Sequence, residues 1–256
     1  MEAPLLSSWR TALASVPRAA PTAAGRDMDR RAESKFVVPE RAVAGLLSAL
    51  HGHVAVVPAG AALIAAYRSL YFDTEDLACF HAHRRGYRLR HKVRIRHYPD
   101  RRVSFLEIKL RRGEHDTCKI RRERDFGSNT LDRSDRAFLH AHCGHGDDLV
   151  PQAWIVYRRI TLIDQPSTER VTIDTHLEMW RATGHRQVRD VVVVEVKQPR
   201  LDRQSRAMRA MREAGWRPGW ASKYCAGIVL TTPDIRANRL LGRMRPLTAE
   251  GAWTHL

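Results

Sequence analysis

The chain has 256 residues, of which 43% are hydrophobic, so it can bury one substantial core, and a wholly disordered chain is not expected. Lysine and arginine number 44 against 28 acidic residues, a formal net charge of +16 that favours phosphate-rich partners but indicates no fold. The four cysteines lie far apart without CxxC spacing, which argues against a zinc ribbon or a disulfide framework and fits a reducing, cytoplasmic compartment.

The N-terminal residues 1–30 are rich in Ala, Pro, Ser and Arg and poor in acids, which favours a disordered tail over a transit peptide. Regular structure is predicted to begin with the strand ESKFVV, followed by a helix over 39–50 with an apolar stripe. A strand over 67–74 and a helical turn that stops at Gly86 come next. In this region Asp73 is predicted either to orient a lysine or to cap the turn, and Tyr224 further on is predicted to pack.

Three long strands are then predicted in succession, separated by turns of hairpin length. They are YRLRHKVRIRHY, RVSFLEIKLRR and DTCKIRRERDF. A helix over 128–142 precedes three more strands, AWIVYRRITLID, ERVTIDTHL and DVVVVEVKQ. A basic helix over 202–214 and a closing helix SKYCAGIVL complete the pattern, and residues 233–256 read as a loosely held tail.

Eight strands, mostly adjacent and antiparallel with helices outside, predict an α+β fold with a single domain over residues 31–232. Alternation places charged side chains together on one face of four strands, because successive side chains of a strand point to opposite sides. The charged sets are Arg88, Arg90, Lys92, Arg94 and Arg96; Glu107 and Lys109; Lys119 and Arg121; and Glu195 and Lys197.

Each charged row on its own is typical of the solvated face of an amphipathic strand. The strand VVVVEVK, however, is apolar on both faces except at its end and reads as buried, which places Glu195 and Lys197 where a core should be. An eight-stranded antiparallel β-barrel with a polar lumen and helices packed outside resolves this conflict. The fold predicted from the sequence is therefore a barrel that forms a tunnel.

A lumen crowded with cations requires a negative partner. Two unit charges about 7 Å apart repel by roughly 2.4 kcal/mol at an effective dielectric constant of about 20. Such a lumen is too narrow for duplex DNA and selects a thin polyanion, such as a nucleoside triphosphate tail or polyphosphate. The carboxylates of Glu33, Glu107 and Glu195 supply oxygen ligands of the kind that Mg²⁺ or Mn²⁺ prefers.

Nine short motifs occur in an order that resembles the VTC domain, the polyphosphate polymerase domain of the vacuolar transporter chaperone complex and its bacterial relatives. That family belongs to the triphosphate tunnel metalloenzymes. The resemblance runs from about Glu33 to Leu230. The motifs are ESKFVVP, SLYFDT, KVRIRHY, FLEIKLR, CKIRRE, VYRR, RVTIDTHL, VVVEVK and SKYCAG.

The resemblance implies an eight-stranded tunnel that binds the triphosphate of ATP with manganese or magnesium and passes the terminal phosphoryl group to a polyphosphate chain. It implies Glu195 as the metal carboxylate, with Glu33 and Glu107 as weaker candidates. The catalytic cations would be Arg94, Arg96, Lys109, Arg158 and Lys223. The further phosphate-binding candidates are Lys35, which the resemblance implies, and Lys92, Lys119, Arg121 and Lys197, which the alternation adds.

Several alternatives stay open. The stretch RAESK has only Glu33 where relatives that hydrolyse triphosphate or make cyclic nucleotides carry ExExK, which favours the VTC branch with fewer metal ligands. A metal-dependent triphosphatase and a tunnel that binds polyphosphate or nucleotide without turnover remain as alternatives. The resemblance also implies that polymerase activity either requires a separately encoded membrane or regulatory partner or has been lost. A specific nucleic-acid binder is disfavoured because no recognised motif accompanies the charge. The stretch HAHCGHG (140–146) has no second half-site for zinc.

Overall fold

The computed structural model describes residues 8–20, 32–113, 117–164, 169–219, 222–248 and 253–254. This part of the chain contains seven α-helices and eleven strands. The helices are α1 (Ser8–Ala14), α2 (Val43–Leu50), α3 (Ala78–Arg85), α4 (Arg133–Cys143), α5 (Arg206–Glu213), α6 (Lys223–Thr231) and α7 (Asn238–Thr248). The strands are β1 (Ala32–Pro39), β2 (Ala55–Val56), β3 (Ala65–Asp73), β4 (Arg90–Tyr98), β5 (Val103–Arg111), β6 (Thr117–Arg124), β7 (Val150–Ile163), β8 (Arg170–Arg181), β9 (Gly184–Val188), β10 (Val191–Gln198) and β11 (Trp253–Thr254).

The predicted α+β class with an antiparallel sheet is confirmed. Hydrogen-bonded strands follow the order β1-β10-β8-β7-β3-β4-β5-β6, and β2, β9 and β11 pair beside this path. Within the described ranges the order is open, because β1 and β6 end it without pairing to each other. The prediction that eight strands close into a barrel is therefore wrong for the described residues. Strand β6 ends the order with exposed charged side chains such as Arg121 and Glu123, a pattern that keeps an edge strand from further pairing.

The chain divides into two compact units. The first unit comprises residues 1–65, 158–176 and 189–220, and the second comprises residues 66–157, 177–188 and 221–256. Four strands, β1, β7, β8 and β10, supply apolar side chains to the core of the first unit. Phe36, Val38, Ile160, Ile173 and Val194 are buried there against α2 and α5.

The second unit has its own core, formed where one face of β3, β4 and β5 meets α4. The buried side chains alternate along each strand, as Val93 and Ile95 do on β4 and Leu106 and Ile108 do on β5. Since these residues occupy one face, the charged residues between them occupy the other. The predicted co-facial charges on β4, β5 and β6 are thus observed.

Both predicted tails contain ordered structure. Helix α1 buries Trp9 and Leu13 in the core of the first unit, so the prediction of disorder over 1–30 is wrong for residues 8–20, while residues 1–7 and 21–31 lie outside the described part. Helix α7 likewise buries Leu240 and Met244. The apolar residues of these segments were too sparse in the sequence to outweigh the Ala, Pro and Arg around them.

The helix boundaries follow local signals. Helix α3 ends at Gly86, whose φ of 78° is left-handed, as predicted. Helix α4 begins later than predicted, because Asp132 and not Ser128 forms the capping box, with Asp135 as its partner. No helix in the described ranges has both the length and the apolar character needed to cross a bilayer.

Candidate functional site

The charged face of the second unit is organised as cross-strand rows. Lys92 on β4 is opposite Lys109 on β5, which is opposite Lys119 on β6. In the next row, Tyr71, Arg94, Glu107 and Arg121 face one another across β3 to β6. Arg96 lies in the third row, between Ser69 and Phe105. Antiparallel pairing therefore gathers cations that are separated by turns in the sequence.

Glu107 is the centre of a group that we call the arginine cluster, formed by Arg94, Arg96, Glu107 and Lys119. Arg94 donates from Nε to Glu107 Oε2 at 2.7 Å, and its Nη2 lies 2.6 Å from the same oxygen. Arg96 Nη1 lies 3.7 Å from Oε2, and Lys119 Nζ lies 3.0 Å from Oε1. Three cations and one carboxylate leave a net charge of +2 on these four side chains.

The electrostatics of this cluster favour the ionised forms of Glu107, Arg94 and Arg96. Burial alone would raise the pKa of Glu107, but Arg94, Arg96 and Lys119 outweigh it and hold that pKa well below its usual range. Burial and the neighbouring Arg96 act to lower the pKa of Arg94, yet Tyr71 and Glu107 contribute to raising it overall. A surplus of fixed positive charge that is only partly exposed to solvent is the arrangement expected of an anion-binding surface.

Aromatic rings surround the cations of the second unit. Arg96 is 7% exposed, donates from Nε to Ser69 Oγ at 3.1 Å, and places its guanidinium carbon 5.3 Å from the centre of the Tyr67 ring. Tyr67 stacks on Tyr157 at 5.1 Å. Lys223, 8% exposed at the start of α6, places Nζ 5.1 Å from the centre of the Tyr157 ring. These contacts restrict the directions in which the buried cations can point.

The first unit contains a second charged group, which we call the lysine–carboxylate cluster: Glu33, Lys35, Glu195 and Lys197. Lys35 Nζ lies 3.5 Å from both Glu33 Oε2 and Glu195 Oε1, and Lys197 Nζ lies 3.2 Å from Glu195 Oε2. Strand register creates this pattern, since Glu33 is opposite Lys197 and Lys35 is opposite Glu195. Burial disfavours the charged form of Lys35, but Glu195 and Glu33 outweigh it and raise its pKa above the usual range.

The structure distinguishes the two neighbouring arginines of β7. Arg158, the residue chosen from the sequence, is exposed. Arg159 is partly buried and donates from Nε and Nη2 to the two carboxylate oxygens of the buried Asp174, at 2.5 and 2.7 Å. Alternation separates the two arginines: Tyr157 and Arg159 lie on one face of β7 and Arg158 lies on the other, so the two side chains point to opposite sides of the strand.

Sequence reasoning missed Arg159 and Asp174, and it gave no role to the tyrosines beside the cations. Alternation along β7 could have indicated Arg159, because it lies two residues from Tyr157 and therefore on the same face of the strand. Of the predicted residues, Arg94, Arg96, Glu107 and Lys119 meet in one cluster, and Glu33, Lys35, Glu195 and Lys197 meet in another. Arg121 is exposed, with its guanidinium carbon 4.9 Å from the centre of the Phe105 ring.

The carboxylates differ in their fitness for a divalent metal. Glu107 does not fit, because three cations within 4 Å occupy its oxygens. Glu33 and Glu195 share Lys35, and Glu195 also contacts Lys197, so these two carboxylates could supply oxygen ligands to a metal ion that displaces the lysines. The described residues contain no cluster of three or more His, Cys, Asp or Glu side chains suited to hold a metal. A metal here would need phosphate oxygens or water to complete its shell, as Mg²⁺ commonly does.

Comparison with known proteins adds an independent observation. The family model described as "VTC domain" matches residues 30–232. Among curated proteins, none matches the chain.

Similar folds occur among solved structures. A protein from Hippeastrum, described as a candidate adenylyl cyclase with a dominant triphosphatase activity, is 16% identical with a TM-score of 0.49, and the alignment covers 80% of this chain and 98% of that one. A candidate adenylate cyclase from Bacillus halodurans is 12% identical with a TM-score of 0.42, covering 86% and 98%. The PH1819 protein from Pyrococcus horikoshii is 11% identical with a TM-score of 0.45, covering 78% and 96%. Because the family model spans well over half of the sequence, the chain belongs to the VTC domain family.

Proposed function

We propose that this protein is a polyphosphate polymerase-like phosphotransferase that moves the terminal phosphoryl group of ATP onto a polyphosphate chain. Two observations support the proposal: membership of the VTC domain family and the surplus of positive charge in the partly buried arginine cluster. The arginine cluster carries the argument, because its two unbalanced positive charges would be neutralised by consecutive phosphates of one chain. A thin polyanion matches this surface better than a single carboxylate or a neutral ligand would.

The proposed reaction needs little covalent participation from the protein. A terminal oxygen of the polyphosphate acceptor forms a bond to the γ-phosphorus of ATP, the bond from that phosphorus to the β,γ-bridging oxygen breaks, and ADP leaves with the electron pair. The acceptor oxygen is already ionised, so no side chain has to remove a proton. Positioning the two phosphate groups and neutralising their charge are the tasks left to the cations.

The proposed phosphate-binding residues follow the sequence assignment with one change. We propose Arg159 in place of Arg158, since Arg159 is the partly buried arginine of the pair. Arg159→Ala should then lower turnover at least tenfold more than Arg158→Ala does. The phosphate-binding set becomes Arg94, Arg96, Lys109, Arg159 and Lys223, with Lys35, Lys92, Lys119, Arg121 and Lys197 as further contacts.

Glu195 and Glu33 would hold a divalent ion, manganese or magnesium, whose chemistry is to neutralise phosphate oxygens. We do not include Glu107 in this role, because its oxygens already contact three cations. We further propose a cytoplasmic protein that associates with a separately encoded membrane or regulatory partner.

Incubation of the purified protein with ATP and Mn²⁺, followed by a polyphosphate gel, tests the proposal. Long chains together with ADP are expected. Orthophosphate or short products alone would instead identify a triphosphatase. Intact ATP over hours, combined with a melting temperature raised by tripolyphosphate, would identify a binding protein without turnover. If tripolyphosphate neither binds nor reacts, the proposal is wrong in all three forms.

A further inference from the structure

Asp73 lies at the end of β3 and is fully buried, with four donors within 3 Å of its carboxylate oxygens. The backbone N–H groups of Thr74 and Cys79 donate to Oδ1, both at 2.8 Å, and that of Phe80 donates to Oδ2 at 2.9 Å. The fourth donor is the hydroxyl of Tyr224, 2.5 Å from Oδ2. The bonds from Cys79 and Phe80 hold the first turn of α3. The fourth joins β3 to α6, 151 residues later in the chain.

Tyr224 continues this connection toward the arginine cluster. It is 1% exposed, and its ring stacks on Tyr71 with centroids 5.0 Å apart and an interplanar angle of 18°. Tyr71 in turn accepts a hydrogen bond at its hydroxyl from Arg94 Nη1 at 2.7 Å. Arg94 is the residue whose Nε and Nη2 contact Glu107. A continuous path of short contacts therefore runs from Asp73 through two buried tyrosines to a proposed phosphate-binding arginine.

The path also fixes a second cation. Tyr224 follows Lys223 directly in the first turn of α6, whose N-cap is Ser222. A hydrogen bond from Tyr224 to the immobile Asp73 limits how that turn can rotate or shift, and Lys223 moves with it. Burial and the nearby Asp73 raise the pKa of Tyr224 well above its usual value, so the hydroxyl remains a donor at any physiological pH.

We propose that Tyr71 and Tyr224, anchored on Asp73, are positioning residues that fix Arg94 and Lys223 for the phosphate chain. This inference rests on the proposed function. Sequence reasoning assigned no role to Tyr71, predicted Tyr224 to pack, and left Asp73 either to orient a lysine or to cap a turn. Tyr71 orients Arg94 by accepting one guanidinium N–H, so that Arg94 is held from two sides, by Tyr71 and by Glu107. Orientation of this kind lowers the entropy that a flexible cation would lose on binding.

Tyr71→Phe tests the first link, because it removes the hydroxyl but keeps the stacked ring. The probe is tripolyphosphate, and its affinity is measured by titration calorimetry at fixed salt. We expect about tenfold weaker binding, the size of effect that loss of one hydrogen bond to a charged group produces. Tyr87→Phe is the matched control: Tyr87 is 51% exposed, and its hydroxyl accepts a hydrogen bond from Arg85 at 3.1 Å outside the cluster. It should leave affinity unchanged.

A double-mutant cycle separates positioning from general stability. In the Arg94→Ala background, Tyr71→Phe should change affinity less than about twofold, because the group through which it acts is gone. Tyr224→Phe should weaken binding about fivefold in the wild type and have little effect in the Lys223→Ala background.

Two results would overturn the inference: wild-type affinity in Tyr71→Phe, or an undiminished effect of Tyr71→Phe when Arg94 is absent. Failure of the proposed function has a different signature, since the unaltered protein would then not bind tripolyphosphate at all.

Discussion

The arginine cluster and the lysine–carboxylate cluster are built in the same way, from alternate side chains on antiparallel strands, but they differ in charge balance. The first sets three cations against Glu107, and the second sets Lys35 and Lys197 against Glu33 and Glu195. In the arginine cluster, three cations share the one carboxylate of Glu107. In the lysine–carboxylate cluster, each charged side chain has a neighbour of opposite charge.

This difference indicates different tasks. A surplus of partly buried positive charge remains costly until an anion arrives, so we propose that the arginine cluster binds phosphate. A balanced cluster is stable by itself, and we propose that its carboxylates can exchange their lysine contacts for a divalent ion. Substitutions that change the charge balance of either cluster test this assignment.

The largest expected effect comes from removing a cation from the arginine cluster. Arg94→Ala or Arg96→Ala should lower phosphoryl transfer from ATP about a hundredfold or more, because each removes a donor aimed at phosphate charge. The fold should remain, since the variant also removes repulsion. Steady-state turnover is the measurement, and Arg88→Ala, an exposed arginine just before β4, is the control. Equal loss in the control would point to overall charge instead of the cluster.

Removing Glu107, the single carboxylate of the arginine cluster, should increase the repulsion among its cations instead of relieving it. Glu107→Gln should lower the free energy of unfolding by about 3 kcal/mol in urea titrations, because the buried Arg96 and the partly buried Arg94 and Lys119 lose their partner. Tripolyphosphate should restore more stability to this variant than it adds to the wild type. Glu123→Gln, an exposed change on the neighbouring strand β6, should show neither effect. If anion adds the same stability to both proteins, the surplus charge is not what binds it.

In the balanced cluster, Lys35→Met leaves the carboxylates of Glu33 and Glu195 without the lysine between them. We expect the free energy of unfolding to fall by about 2 kcal/mol in the presence of a chelator, and Mn²⁺ to restore most of it. Arg41→Met, an exposed change in the same unit, serves as the control. A variant no more responsive to Mn²⁺ than the wild type would exclude these carboxylates as a metal site.

The smallest effect is a pH dependence confined to the second unit. Burial, with the nearby charge of His145, lowers the pKa of His91 to about 4, against about 6.5 in the unfolded chain. The folded state therefore favours the neutral ring, so its contribution is complete above pH 6.5 and is lost as the pH falls toward 4. The melting temperature should drop by a few degrees between pH 7 and pH 5.

His91→Asn should reduce that drop, whereas His51→Asn, at an exposed position of the first unit, should not. An unchanged pH profile in His91→Asn would assign the acid sensitivity to other groups.

Sequence alone could predict those features that depend on alternation and on strong local signals. The eight long strands, the antiparallel α+β class and the shared face of Arg94, Arg96, Glu107 and Lys119 all follow from period-two patterning. The stop of α3 at Gly86 follows from the left-handed conformation that glycine tolerates. The motif order predicted the VTC domain family, which the family model confirms.

Tertiary structure decided what alternation could not. The strand order is open among the described residues, and Trp9 and Leu240 are buried in segments predicted as tails. Arg159, and not Arg158, lies beside the buried Asp174. The link from Tyr224 to Asp73 joins residues 151 positions apart, and no local pattern encodes such a contact. The sequence by itself determined which side chains share a face, because that is a property of one strand; which of those side chains meet, and with what charge balance, depends on how distant strands and helices pack.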